Sequence, residues 1–90
     1  MRTRGRRRVR HSFKEVYYKP RGIPLRELEE VSISDEEMET LRLRYVEKLS
    51  QSEAAERMGI SQSQYQRDLT QAIEKITVAM MEGNAINIFK

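Results

Sequence analysis

The chain has 90 residues with 17 Lys or Arg, 14 Asp or Glu, one His and no Cys, a length that suits one small domain. The lack of cysteine excludes disulfides and thiolate metal sites. His11 has no G-x-S-x-G or H-E-x-x-H pattern around it, so we expect no enzyme, cofactor or metal. No long apolar run is present, so we expect neither a signal peptide nor a membrane span, and a cytoplasmic location.

The basic residues are concentrated at the N-terminus. Residues 1–26 carry ten Lys or Arg and one acidic residue, a net charge of +9, whereas residues 27–90 carry seven basic and thirteen acidic residues, a net charge of −6. We interpret residues 1–12 as a basic flexible arm, because so dense a run of charge cannot form an apolar core of its own. Such an arm either binds phosphates and enters a minor groove or only keeps the protein in solution. Its arginines are Arg2, Arg4, Arg6, Arg7, Arg8 and Arg10.

Residues 13–33 are predicted to form an ordered loop that contains one short helix. Pro20 and Pro24 interrupt any longer helix, and Pro24 suits the first turn of the short helical piece LRELEE that follows it. Tyr17 and Tyr18 stand among basic residues. They either pack the loop onto the core or stack on unpaired bases, as in RNA-binding proteins, and the sequence leaves both alternatives open.

Residues 34–90 are predicted to form a domain of three helices. The first helix begins after Ser34, because Ser34 and Glu37 have the S-x-x-E spacing of a capping box. The acidic residues that follow Ser34 suit the positive N-terminal end of a helix, so they have a structural rather than a metal-binding explanation. The apolar stripe that predicts the buried face consists of Met38, Leu41, Tyr45, Val46 and Leu49.

The stretch SQSEAAERMGISQSQYQRDL has the spacing of a helix-turn-helix. Ser50 and Glu53 form a second capping box, which starts helix two, and Gly59 can take the positive φ that a tight corner requires. Ser61 and Gln64 repeat the capping pattern for helix three. An ordinary helical hairpin with a glycine corner is the alternative explanation of the same spacing.

Helix three is predicted to be long, because its apolar stripe continues to Gly83. Its distal half either covers helix one or pairs with the same helix of a second copy in a homodimer. The residues that would form this pairing are Leu69, Ile73, Ile76 and Met80. Beyond Gly83, the alternation in AINIF allows a short strand that pairs with Val31 to Ile33 in a two-stranded ribbon.

The exposed side of helix three supplies a candidate DNA-reading surface. If Tyr65, Leu69 and Ala72 are buried, the residues on the opposite side, at about 100° per residue, face solvent. Glutamine pairs with adenine and arginine with guanine in the major groove. The predicted base-reading residues are Gln62, Ser63, Gln66, Arg67 and Thr70, and the predicted contacts to the DNA backbone are Gln51, Ser52, Lys48 and Arg44. Asp68 lies beside this surface and would repel phosphates unless Arg67 or a cytosine engages it.

The order of these segments resembles a family of small prokaryotic proteins with a predicted DNA-binding role. Members of that family have an arginine-rich start, a Y-[FY]-K-P-x-G-x-P-L-x-E-L-E-E-V segment, a helix-turn-helix similar to region four of sigma factors, and an ending like G-x-A-I-x-I. The matching residues here are 4–8, 17–31, 50–69 and 83–88. The resemblance implies that helix three reads DNA. This chain has Asp68 where the family has an apolar residue, and Gln62 to Gln64 where the family has arginine, so we expect a different base preference.

Residues and resemblance together predict a mainly α, helix-turn-helix domain that binds double-stranded DNA sequence-specifically and regulates transcription. The alternative is an RNA-binding or protein-interaction module that uses the same sigma-like helices. Substitution of Gln66 and Arg67 discriminates between the two, because only the reading of a preferred duplex depends on those side chains.

Overall fold

The computed structural model describes residues 8–9 and 16–88, and the structural statements that follow refer to these residues. They form a mainly helical fold with a small three-stranded sheet. In chain order the elements are β1 (Val16–Tyr18), a 3-10 turn (Leu25–Glu27), β2 (Glu30–Ile33), α1 (Asp35–Leu41), a π-helical segment (Arg42–Val46), α2 (Gln51–Met58), α3 (Gln62–Glu82) and β3 (Ala85–Ile88). The short helix expected after Pro24 is present as the 3-10 turn.

Strand β3 lies at the centre of the sheet, between β1 and β2. It runs antiparallel to β1, with Tyr18 opposite Ile86, and parallel to β2, with Val31 opposite Ile86. The predicted pairing of Val31 to Ile33 with the C-terminal segment is therefore confirmed, but a third strand lies in the segment that was expected to be a loop with a short helix. The three residues of β1 are too few to show an alternation of polar and apolar residues, and their partner strand lies near the other end of the chain.

Helix α1 begins where the sequence predicts, but its buried face differs from the prediction. Ser34 and Glu37 form both hydrogen bonds of the capping box, at 3.1 and 3.0 Å. After α1 the winding widens into the π-helical segment, which holds more residues per turn and so rotates the side chains that follow. Tyr45 and Val46, expected in the core, are 49% and 70% exposed, and Leu43 occupies the core position with 1% exposure.

Two small cores hold the described residues together, and α3 takes part in both. The first core lies where the π-helical segment meets α2 and α3, and its buried residues are Leu43, Ala54, Ala55, Met58, Tyr65 and Leu69. The second lies between α3 and the sheet, and its buried residues are Ile33, Ala79, Ile86 and Ile88. The 21 residues of α3 therefore connect the α2 side of the molecule to the sheet.

The stripe on α3 that one of the two alternatives assigns to a homodimer is largely used within the chain. Leu69 is buried in the first core, and Ile76 packs against the second. Only the other two members, Ile73 and Met80, are exposed, by 38% and 65%. The distal half of α3 thus covers its own sheet, together with Met38 of α1, which agrees with the core-packing alternative.

Candidate nucleic-acid interface

A tight turn joins α2 to α3. Both bonds of the second capping box are present, because the Ser50 Oγ accepts from the Glu53 amide at 3.1 Å and Glu53 Oε1 accepts from the Ser50 amide at 3.0 Å. At the other end of α2, Gly59 adopts φ 73° and ψ 32°. Its amide donates to the Glu56 carbonyl oxygen at 3.1 Å, and the Ile60 amide closes a further bond to the last turn of α2. The corner predicted at Gly59 is confirmed.

The buried side of α3 fixes how this helix is held against its neighbours. Tyr65, Leu69 and Ala72 are 0%, 4% and 0% exposed, as predicted. The Tyr65 hydroxyl donates to the carbonyl oxygen of Thr40 at 2.6 Å. Burial raises the pKa of the Tyr65 hydroxyl to about 12, so the group stays protonated and can donate at neutral pH.

The first turn of α3 is capped from one side only. The Ser61 Oγ accepts from the Gln64 amide at 3.1 Å, as the sequence predicts. The Gln64 side chain forms no reciprocal bond to Ser61, and its Nε2 instead donates to Asp68 Oδ1 at 2.8 Å. The Gln64 Oε1 also accepts from Arg67 Nη2 at 2.9 Å, so Gln64 links the guanidinium to the carboxylate. Gln64 thus engages Asp68 and Arg67 at the same time, along the helix.

The five predicted base-reading residues lie together on the exposed side of the first part of α3. All five are exposed, namely Gln62, Ser63, Gln66, Arg67 and Thr70. Within this set, Gln66 Nε2 donates to the Thr70 Oγ1 at 3.2 Å. These contacts run along the helix and involve no other element, so the polar groups can exchange them for contacts to a ligand.

The predicted backbone-contacting residues are placed less uniformly. Ser52 is exposed and Gln51 is half-buried in the first turn of α2, and Lys48 is exposed just before it with φ 63°. The half-buried Arg44 is held within the chain, because its Nη1 donates to the Leu49 carbonyl oxygen at 3.2 Å and its guanidinium lies 5.9 Å from the centroid of the Tyr45 ring. Arg44 is therefore less available to phosphates than the sequence suggests.

Only Arg8 of the six arm arginines lies within the described residues, and Arg2, Arg4, Arg6, Arg7 and Arg10 lie outside them. The Arg8 amide donates to the Met58 carbonyl oxygen at 3.0 Å, and its side chain passes over Gly59. Sequence reasoning assigned Arg8 to a free arm and missed this contact. No local sequence signal reports it, because Arg8 and Met58 lie far apart in the chain.

Several charged residues on and around α1 are paired with one another. Arg42 Nε lies 2.9 Å from Glu39 Oε1 and its Nη1 lies 3.0 Å from Glu47 Oε2, and the bond to the fully buried Glu39 raises the pKa of Arg42. On the other side of α1, Lys75 Nζ lies 2.9 Å from Glu37 Oε2. Two cationic and three acidic side chains are therefore engaged with one another within the chain.

Among residues 8–9 and 16–88, no group of three or more His, Cys, Asp or Glu side chains is placed to hold a metal ion. None of the described helices is long and apolar enough to span a membrane.

Residues 1–90 match the family described as "Protein of unknown function DUF134". The chain is 49% identical over 82 residues to a UPF0251 protein of Desulforudis audaxviator, an alignment that covers 91% of this chain and 54% of that protein. It is 46% identical over 82 residues to a UPF0251 protein of Methanosarcina acetivorans, with 91% and 73% covered, and 46% identical over 80 residues to one of Halothermothrix orenii, with 89% and 59% covered.

The chain spans about half of the length of the first of these relatives and about three quarters of the second. No solved structure matches it. On the strength of the full-length match and these identities, the chain belongs to the DUF134 family, also named UPF0251, which is found in bacteria and archaea.

Proposed function

We propose that this protein binds double-stranded DNA sequence-specifically as a transcriptional regulator, with α3 as its reading helix. The observation that carries the proposal is the joint exposure, on one side of α3, of Gln62, Ser63, Gln66, Arg67 and Thr70. Glutamine and arginine side chains pair bidentately with adenine and guanine, and an α-helix fits the major groove of B-DNA. In a helix-turn-helix arrangement, the capped N-terminus of α2 would meet the phosphate backbone.

The reading surface itself carries little net charge, so the proposal assigns most of the affinity to the arginine-rich N-terminus. On α3, the positive charge of Arg67 is followed by the negative charge of Asp68, and Gln64 bonds to both. The first 26 residues, by contrast, carry a net charge of +9. Phosphate contacts from the N-terminal segment would then supply most of the binding free energy, and base contacts from α3 would supply the sequence selectivity.

Selection of bound sequences from a random duplex library tests the proposal. Gln66→Ala and Arg67→Ala should each weaken the free energy of binding to the selected duplex by about 1–3 kcal/mol. The loss of binding free energy on an unrelated duplex should be much smaller. Gln71→Ala is the matched control, because Gln71 is also exposed on α3 but lies off the reading surface. An equal loss on both duplexes, or binding to no duplex at all, contradicts the proposal.

RNA binding is a second candidate, and the exposed tyrosines of β1 favour it. Tyr17 and Tyr18 are 57% and 61% exposed, and aromatic rings stack on unpaired bases. The adjacent Lys19 is less available, because its Nζ donates to the Ile23 carbonyl oxygen at 2.7 Å. If Tyr17→Ala weakens binding to a single-stranded oligonucleotide while Gln66→Ala leaves duplex selectivity unchanged, RNA binding replaces the first proposal.

A further inference from the structure

Arg8 lies against the corner between α2 and α3, although its place in the sequence is within the basic arm. Its backbone amide donates to the Met58 carbonyl oxygen at 3.0 Å. Its side chain crosses the bare Cα of Gly59 so closely that a Cβ added there would lie 2.8 Å from Arg8 Nε. A main-chain contact and a side-chain contact therefore both hold residue 8 at this corner.

The charges around the corner suit a guanidinium group. The C-terminal end of a helix carries the negative end of the helix dipole, and Arg8 lies at that end of α2. Glu53 and Glu56 of α2 line the same hollow as Arg8, together with Leu49 and one like charge, Arg57. Arg8 therefore shares this hollow with two carboxylates and one like charge, at the negative end of α2.

We propose that Arg8 is a positioning residue, which fixes the point where the arginine-rich segment leaves the domain and directs those arginines to the duplex on one side of the α3 contact. This inference rests on the proposed DNA binding. The five-residue stretch from Thr3 to Arg8 spans at most about 18 Å when fully extended. That length matches the half-turn of about 17 Å between a major groove and the next minor groove, and it corresponds to about five base pairs.

The contact at Arg8 also sets how far the arginines can move from the reading helix. Without it, the next described attachment point is Val16 in β1, so Arg4, for example, lies twelve rather than four residues from its attachment point. The effective concentration of a tethered group falls roughly as the −3/2 power of the tether length, so the loss for Arg4 is about fivefold. Release of Arg8 should therefore weaken binding modestly and widen the range of DNA that the arginines reach.

A cleavage experiment on DNA measures that range. Because the chain has no cysteine, Thr3→Cys provides one attachment point for a DNA-cleaving iron chelate. On the selected duplex, cuts should fall within about five base pairs on one side of the α3 site. Arg8→Ala, which removes the guanidinium, and Arg8→Pro, which removes the amide donor, should each spread the cuts.

Arg6→Ala is the matched control, because it removes the same charge from the arm and leaves residue 8 unchanged. It should keep the one-sided cleavage pattern, and its affinity for the selected duplex should exceed that of Arg8→Ala by about fivefold. Identical patterns and affinities for Arg6→Ala and Arg8→Ala would overturn the inference.

A measurement without DNA separates failure of this inference from failure of the proposed function. A nitroxide attached through Thr3→Cys stays within about 18 Å of residue 8, so it should broaden the backbone amide signals of Met58 to Ser61. Arg8→Pro should weaken this broadening, and Arg6→Ala should preserve it. Equal broadening in all three proteins would overturn the role of Arg8 even where a duplex is bound. Broadening without any duplex binding would overturn the proposed function, and with it the direction given to the arginines.

Discussion

The hydroxyl of Tyr65 donates a 2.6 Å hydrogen bond to the main-chain carbonyl oxygen of Thr40, which ties α3 to the end of α1 inside the first core. Thr40 is 1% exposed, and its own hydroxyl lies 3.6 Å from the sulfur of Met58 in α2. Three helices therefore meet at these three residues. The orientation of the exposed side of α3 depends on this meeting point.

Tyr65→Phe should destabilise the protein by about 1–3 kcal/mol, because the buried Thr40 carbonyl loses its hydroxyl donor. The measurement is urea unfolding at neutral pH. Tyr45→Phe is the matched control, since Tyr45 is 49% exposed, and it should change stability by less than about 0.5 kcal/mol. Equal effects of the two substitutions would show that the bond to Thr40 contributes little.

Stability should fall as the pH rises from about 10 to about 12. The pKa of Tyr65 is about 12 in the folded protein and about 10 in the unfolded chain, so over this range the folded state binds more protons and ionisation favours unfolding. Chemical denaturation at several pH values should show a decline in the wild type that is shallower in Tyr65→Phe. A decline of the same steepness in both proteins would contradict the assignment to Tyr65.

Gly59→Ala should be more destabilising than Gly22→Ala. Both glycines have a positive φ, 73° at Gly59 and 85° at Gly22, and a Cβ in this conformation costs about 1–2 kcal/mol. A Cβ at Gly22 would meet nothing within 4 Å, whereas one at Gly59 would meet the Arg8 side chain. Urea unfolding measures both variants. In an Arg8→Ala background the difference between them should shrink, and a difference that persists would show that Arg8 does not cause it.

Ser50→Ala should destabilise the protein by about 1 kcal/mol, because it removes the cap that accepts from the Glu53 amide at the start of α2. Thermal or urea unfolding provides the measurement. Ser52→Ala is a suitable control, since Ser52 is exposed in the same turn and caps no helix. Ser61→Ala should have an effect of similar size, because each substitution removes one bond, in which the serine Oγ accepts from the amide three residues later. No loss of stability in either variant would contradict this account of the two caps.

Affinity for duplex DNA should depend strongly on salt. If the six arm arginines neutralise about six phosphates, log K falls against log salt concentration with a slope of about −5. Deletion of residues 1–7, which removes four arginines, should bring the slope about 4 units closer to zero on every sequence. Gln66→Ala should lower affinity for the selected duplex and leave the slope unchanged. A slope near zero in the intact protein would contradict the role given to the arm.

The features that the sequence predicts correctly are those that neighbouring residues determine. The capping boxes at Ser34 and Ser50 and the left-handed corner at Gly59 each depend on atoms within a few positions of one another. The end of α3 at Gly83, with φ 72°, is of the same kind. The exposed side of α3 follows from helical periodicity once its buried side is known.

The features that the sequence does not predict depend on contacts between distant segments. Strand β1 exists because β3 pairs with it, and Arg8 lies at the corner because Met58 offers a carbonyl oxygen there. The exposure of Tyr45 and Val46 has another cause, since ordinary α-helical periodicity cannot anticipate a change of winding within one helix.

The change from α-helical to π-helical winding at Arg42–Val46 determines the direction of α3. A π-helical turn holds about one residue more than an α-helical turn, and each residue of an α-helix advances the side chains by about 100°. Deletion of one residue between Arg42 and Val46 would restore uniform winding, and α2, with α3 attached to it, would swing away from its present heading. Segment length at this junction therefore governs the direction of the exposed side of α3 more than substitutions on that side do.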